Sequence, residues 1–255
     1  MNSVNSILYL NLTIALLLAL LIFSLVKREK SEALKLFLFW AMVIPVIFTT
    51  FFLSATTIID NERSASRGPV HWHADFQIYS CGELIKLKRP AGLSNRIGTP
   101  LLHEHGDNRI HVEGTVAELK KIALGKFFES IGGKLTNSFL LVPTDQGNLL
   151  MQNNMSCPDL PTGEVNGSKS ILQIFAYKTN EKNKTIRQEK LTDLPNYQIT
   201  QSGRIPPGDC LIIEFGQPKD HTDHICTFYE IAINKGEYNY SPPREEGLGE
   251  VKISN

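Results

Sequence analysis

Two long apolar runs lead the chain, and after them the pattern changes to short alternating stretches. Ile7 to Val26 is 20 residues without a charge, and Leu36 to Ile59 is 24. A helix rises about 1.5 Å per residue, so each run reaches across a hydrocarbon core of roughly 30 Å. Pro45 predicts a kink in the second helix, of the kind packed membrane helices tolerate, and Asn11 in the first is placed to bond across to the second. Between them KREKSEALK carries Lys27, Arg28, Lys30 and Lys35, whereas Met1 to Ser6 has no charged side chain. The positive-inside rule keeps this loop cytoplasmic and puts both ends of the chain outside. A cleaved signal peptide would need a basic leader and a small-residue cleavage site, and the first run has neither. Residues 1–60 therefore predict a two-helix hairpin in the lipid bilayer.

Residues 61–69 are polar, end in Gly68-Pro69 and predict a linker. Residues 70–255 predict one extracytoplasmic domain, since no later apolar run is long enough to span a membrane. In His71–Ile78 the residues His71, His73, Asp75 and Gln77 alternate with Trp72, Ala74, Phe76 and Ile78, a period of two that separates a polar from an apolar face. Glu83–Lys88 predicts a hairpin partner, and Arg109–Val112, Ser138–Val142, Ile171–Tyr177, Cys210–Phe215 and Thr227–Ile233 predict further strands. Leu124, Phe127, Phe128 and Ile131 recur at helical spacing before Gly132-Gly133, which predicts one short helix over Ala123–Ile131. Asn180–Lys190 is polar and predicts an exposed loop. The class expected is α+β and β-rich: two transmembrane helices, then a mostly-β domain with a short helix.

Charge sharpens this picture by exclusion. The chain has 26 basic and 26 acidic side chains, so it lacks the basic surface that binding to nucleic acid requires. The cysteines Cys81, Cys157, Cys210 and Cys226 all follow the hairpin, and an even number in an oxidising compartment predicts two disulfides with three possible pairings. The reading leans to Cys210–Cys226, at two strand beginnings separated by one loop, leaving Cys81–Cys157. No C-x-x-C pair is present.

Histidine carries the candidate chemistry. Five of the seven, His71, His73, His103, His105 and His111, fall within 41 residues and include two H-x-H pairs, each of which a strand places on one face. LHEHGDNRIHVEG reads as a hairpin turning at Gly106-Asp107-Asn108. A three-residue loop sets His111 opposite His103, whereas a two-residue loop sets it opposite Glu104; the pattern leaves both open. Clustered neutral imidazoles suit Cu(II) or Zn(II), with Asp75 and Glu104 placed as ligands or as groups that orient the imidazoles. His221 and His224 lie in a polar loop and read as exposed.

H-W-H-A-D-F is similar to the H-x-H-x-D-H motif of metallo-β-lactamase-type hydrolases, but Phe76 stands where its last histidine belongs. The ordered set HWHADFQIYSCGE, LHEHGDNRIHVEG, LGKFFESIGG and PPGDCLIIEF resembles a poorly characterised family of small membrane-anchored proteins from bacteria of reduced genome size, over most of Pro69–Lys235. Members are often labelled protein-disulfide isomerase, so the resemblance implies thiol–disulfide exchange on exported proteins. Cys157-Pro158-Asp159 offers only one sulfur for that chemistry. The expected function is copper or zinc handling or sensing at the cell surface. A disulfide isomerase and a metal-free interaction module, its helices packed on a membrane-protein partner, stay open beside it.

Overall fold

Helix α1 (Ser3–Val26) and helix α2 (Glu32–Arg63) carry the two apolar runs. The computed structural model describes residues 3–27, 29–91, 94–157 and 169–240; Met1, Asn2, Arg28, Pro158 and Asp159 lie outside them. Ser31 caps α2, its Oγ accepting from the Leu34 amide, and Glu32 in the first turn pairs with Lys35 at 2.7 Å. The helices meet through Thr13 and Thr49, whose hydroxyls lie 2.8 Å apart, so this bond across the pair lies two residues beyond Asn11, where one was expected. Their outward side chains are apolar and bare: Leu25, Phe37 and Phe51 are among the most exposed large apolar residues described. Both helices are long and apolar enough to cross a membrane. Helix α2 continues through Asn61, Glu62 and Arg63, which were expected in the linker, because Ser64 terminates it by donating its amide to the carbonyls of Asp60 and Asn61.

The second unit, Pro69–Asn255, is an α+β fold rich in β structure. Its axis is β1 (Pro69–Ser80), the strand whose alternation is cleanest in the sequence. Cys81 and Gly82, at φ 54° and 86°, turn it into β2 (Glu83–Ile85). The short strands β3 (Ile97–Gly98) and β4 (Leu102–Glu104) precede β5 (Arg109–Thr115). Helix α3 (Leu124–Ser130) buries Leu124, Phe127 and Phe128, and Gly132, at φ 86°, lets the Gly133 amide reach the Phe128 carbonyl at 2.8 Å. A Cβ on Gly133 would come within 2.4 Å of the Leu141 carbonyl oxygen, so only glycine fits there. Strands β6 (Lys134–Leu135), β7 (Phe139–Thr144) and β8 (Gly147–Gln152) form a separate three-stranded sheet.

Strands β9 (Ile171–Asn180), β10 (Thr185–Lys190) and β11 (Asp209–Gly216) return to the main sheet, followed by helix α4 (Thr227–Asn234) and strand β12 (Asn239–Tyr240). Among the described residues the order is β12-β10-β9-β11-β1-β5-β4-β3, with β2 also on β1. β1 runs parallel to β11 along its C-terminal half and antiparallel to β5 along its N-terminal half.

Two expectations fail here. Thr227–Ile233 is helical: Tyr229, Ala232 and Ile233, at i, i+3 and i+4, pack on Tyr177, Cys210 and Ile212, a spacing that a strand would split between two faces. Asn180–Lys190 is no plain loop, because Ile186 is buried and the segment 185–190 pairs with β9 as an antiparallel strand.

The two faces of the main sheet differ. One buries Trp72, Ala74, Phe76 and Ile78 of β1 with Ile110, Val112, Leu211 and Ile213 in the larger core, beneath α3. The other carries His71, His73, Asp75 and Tyr79, and its β11–β9–β10 part lies under α4. All four cysteines are in disulfides, Cys81–Cys157 and Cys210–Cys226. Cys226 stands at the start of α4 rather than of a strand, so this bridge ties β11 to the helix above it.

Candidate metal centre

Strand register assembles the histidines. His73 of β1 and His103 of β4 both lie opposite His111 of β5, and His71 lies opposite Glu113. Adjacent strands stand about 4.8 Å apart, so one row across three strands holds three imidazoles: His73 and His111 have ring centroids 4.9 Å apart, and His103 and His111 are 5.5 Å apart and nearly parallel. The register sets His111 opposite His103, which resolves the parity that the pattern left open.

His71 lies 4.5 Å from His73 and 5.9 Å from His111, ring to ring, and His105 lies 4.7 Å from His111. His111 is thus the hub of five rings. His105 follows the last residue of β4, and its Nδ1 sits 2.6 Å from the Asn95 carbonyl. On the other edge of β1, His73 donates its amide to the Ser202 carbonyl at 2.7 Å, which holds the segment at Ser202 alongside the site.

Within this array two sets of side chains could hold a metal ion, each with ligand atoms within 4.8 Å of one another. One is His103, His105, His111 and Glu113; the other is His71, His73 and His111. Glu113 is the residue that the sequence reading missed. The signal was present, because in a strand Glu113 shares a face with His111 two residues before it.

The two carboxylates that were expected as ligands or as groups orienting the imidazoles are hydrogen-bonded to other partners. Asp75 follows His73 on the same face but accepts from Arg109 Nε at 2.6 Å, one register step beyond the histidine row. Glu104 alternates with His103 and His105, and its Oε1 accepts from the amides of Gly106 and Asn108, pinning the turn. Burial pushes both carboxyls above their ordinary range, against the pull of Arg109 on one and of the turn amides on the other. Neither belongs to either ligand set.

At two of these imidazoles, His73 and His103, the surroundings favour the neutral form. Burial, with His111, His71 and Arg109 nearby, lowers the His73 pKa to about 4. Burial also lowers that of His103, against the pull of Glu113. His103 is fully buried, and among the described residues neither of its ring nitrogens has a hydrogen-bond partner; the Nδ1 atoms of His73 and His111 are in the same position. An unpartnered buried nitrogen costs about 1–3 kcal/mol, and a cation bound to it would remove that cost. Imidazole nitrogens with one carboxylate are also the donors that zinc and copper take. The residues therefore fit such an ion.

His221 and His224 lie outside this array. His224 stacks on Tyr79 with ring centroids 3.7 Å apart, and His221 lines a separate cavity with Tyr177, Asp223 and Tyr240. No family model, curated protein or solved structure matches this chain.

Proposed function

We propose that the chain is a membrane-anchored, extracytoplasmic protein that binds copper or zinc for metal handling or sensing. The observation that carries this reading is the His73–His111–His103 row, with His71, His105 and Glu113 around it and His103 buried with neither nitrogen hydrogen-bonded among the described residues. A structural polar network would pair those nitrogens, and a solvated face would expose them. For a metal-free interaction module, burying His103 with neither nitrogen hydrogen-bonded would bring a penalty.

Three further facts support this location. The outward side chains of α1 and α2 are large and apolar, which lipid satisfies and water does not. Two disulfides suit an oxidising compartment, and the basic loop suits the cytoplasm. Nothing in the cysteine geometry favours the isomerase reading: Cys210 and Cys226 are buried, and all four sulfurs are paired.

The test is calorimetric titration of the full chain in detergent micelles with Cu(II) and with Zn(II). Wild type is expected to saturate at defined stoichiometry, and His103→Ala/His105→Ala to lose most of the heat. Equally weak binding by both proteins would overturn the reading.

A further inference from the structure

The ligand residues outnumber the coordination positions of one ion. Five imidazoles and a carboxylate converge, whereas a zinc or copper ion held by protein takes four or five ligands. They also separate in space, for the set on β1 and the set on β4 overlap at His111 alone.

Glu113 joins the two sets. Its Oε1 lies 3.1 Å from His71 Nε2, in the first set, and its Oε2 lies 3.8 Å from His103 Nε2, in the second. The two oxygens of one carboxylate thus face different groups of nitrogens. Register explains why: Glu113 stands on β5, between β1 and β4, one step along from His111. Any residue at that point reaches both flanking strands, and a carboxylate has two equivalent donor atoms with which to do so.

We propose that the site holds two divalent ions, of the kind that prefer imidazole, bridged by the Glu113 carboxylate. One ion lies with His71 and His73 and takes Oε1. The other lies with His103 and His105 and takes Oε2. His111, between them, completes the coordination of one. A single negative charge shared by two cations lowers their mutual repulsion, which is the electrostatic reason for a carboxylate at the centre of an otherwise neutral donor set. This deepens the proposed function and rests on it.

The experiment loads full-length protein in detergent micelles with Cu(II), removes free metal, and reads copper per chain together with the electron paramagnetic resonance spectrum. Wild type is expected to hold two copper ions per chain. Coupling through the carboxylate should bring the integrated spin below the copper count and give a half-field line. Glu113→Gln keeps shape and all five imidazoles but removes the charge and one donor oxygen. It is expected to abolish the half-field line and to weaken the second ion by about tenfold or more. His71→Ala, at an exposed position, is expected to leave one copper with full spin.

One copper per wild-type chain with full spin would overturn the pair and leave the metal site standing. Two copper ions with independent signals that Glu113→Gln does not alter would overturn the bridge. No retained copper would remove the metal reading and this proposal together.

Discussion

Replacing His103 by leucine should stabilise the metal-free protein while abolishing its response to metal. His103 is fully buried in the row beside His111, and neither ring nitrogen is hydrogen-bonded among the described residues. Leaving a buried polar group unpaired costs about 1–3 kcal/mol. Leucine has nearly the volume of histidine and no polar atom, so a swap of this kind loses less than about 1.5 kcal/mol to imperfect packing. The expected net effect on the apo protein is a gain of about 1–2 kcal/mol. For a unit of 150–250 residues that is a rise in Tm of roughly 2–8 °C. With free Cu(II) at about a hundred times its dissociation constant, wild type should gain about 2.7 kcal/mol by mass action, and the variant should gain far less. Thermal unfolding of both proteins, followed by near-ultraviolet circular dichroism with chelator and with Cu(II), measures all four states. An apo variant less stable than wild type would show that His103 already has its partners satisfied. An unchanged copper response would show that it is not a ligand. Either result would refute the reasoning.

Three other outcomes follow from the same structure. His73 has its pKa lowered from 6.5 to about 4, so the unfolded chain binds the extra proton between those values and the folded chain does not. Stability of the metal-free protein should therefore be full above pH 6.5 and fall as pH drops towards 4, by about 2–3 kcal/mol at 1.4 kcal/mol per unit; a flat urea midpoint across that window would count against a buried, neutral His73. Cys81–Cys157 closes a sequence separation of 76 residues, so Cys81→Ala/Cys157→Ala should lose about 4 kcal/mol, and alkylation of denatured, unreduced wild type should label no thiol. Free thiols in that assay would reopen disulfide exchange. In intact cells, a membrane-impermeant reagent should modify a cysteine introduced at Lys235 and spare one introduced at Lys30, and the reverse pattern would invert the topology.

Periodicity was enough to define the elements with a strong local signal. The uncharged runs α1 and α2, the alternation of β1 and the 3.6-residue pattern of α3 each state on their own which side is apolar, because burial selects for it residue by residue. The same argument separates the histidines from Trp72, Ala74, Phe76 and Ile78 before any fold is known. It fails at α4, where Phe228 and Ile231 are exposed as well as apolar, so the apolar residues do not mark a single face. It fails at β10, where one buried residue, Ile186, holds a strand that is otherwise polar.

The centre itself was a matter of tertiary structure. Alternation assigns His71, His73 and Asp75 to one face, and no local rule tells which strand lies beside that face or in what register. Pairing of β1 with β5 and of β5 with β4 set His111 between His73 and His103, and it brought Glu113 into a set of side chains that could hold a metal ion. A one-residue slip in either ladder would have turned the row to opposite faces. Residue spacing along a chain carries the face of each strand, whereas the distance between strands is a property of the assembled sheet.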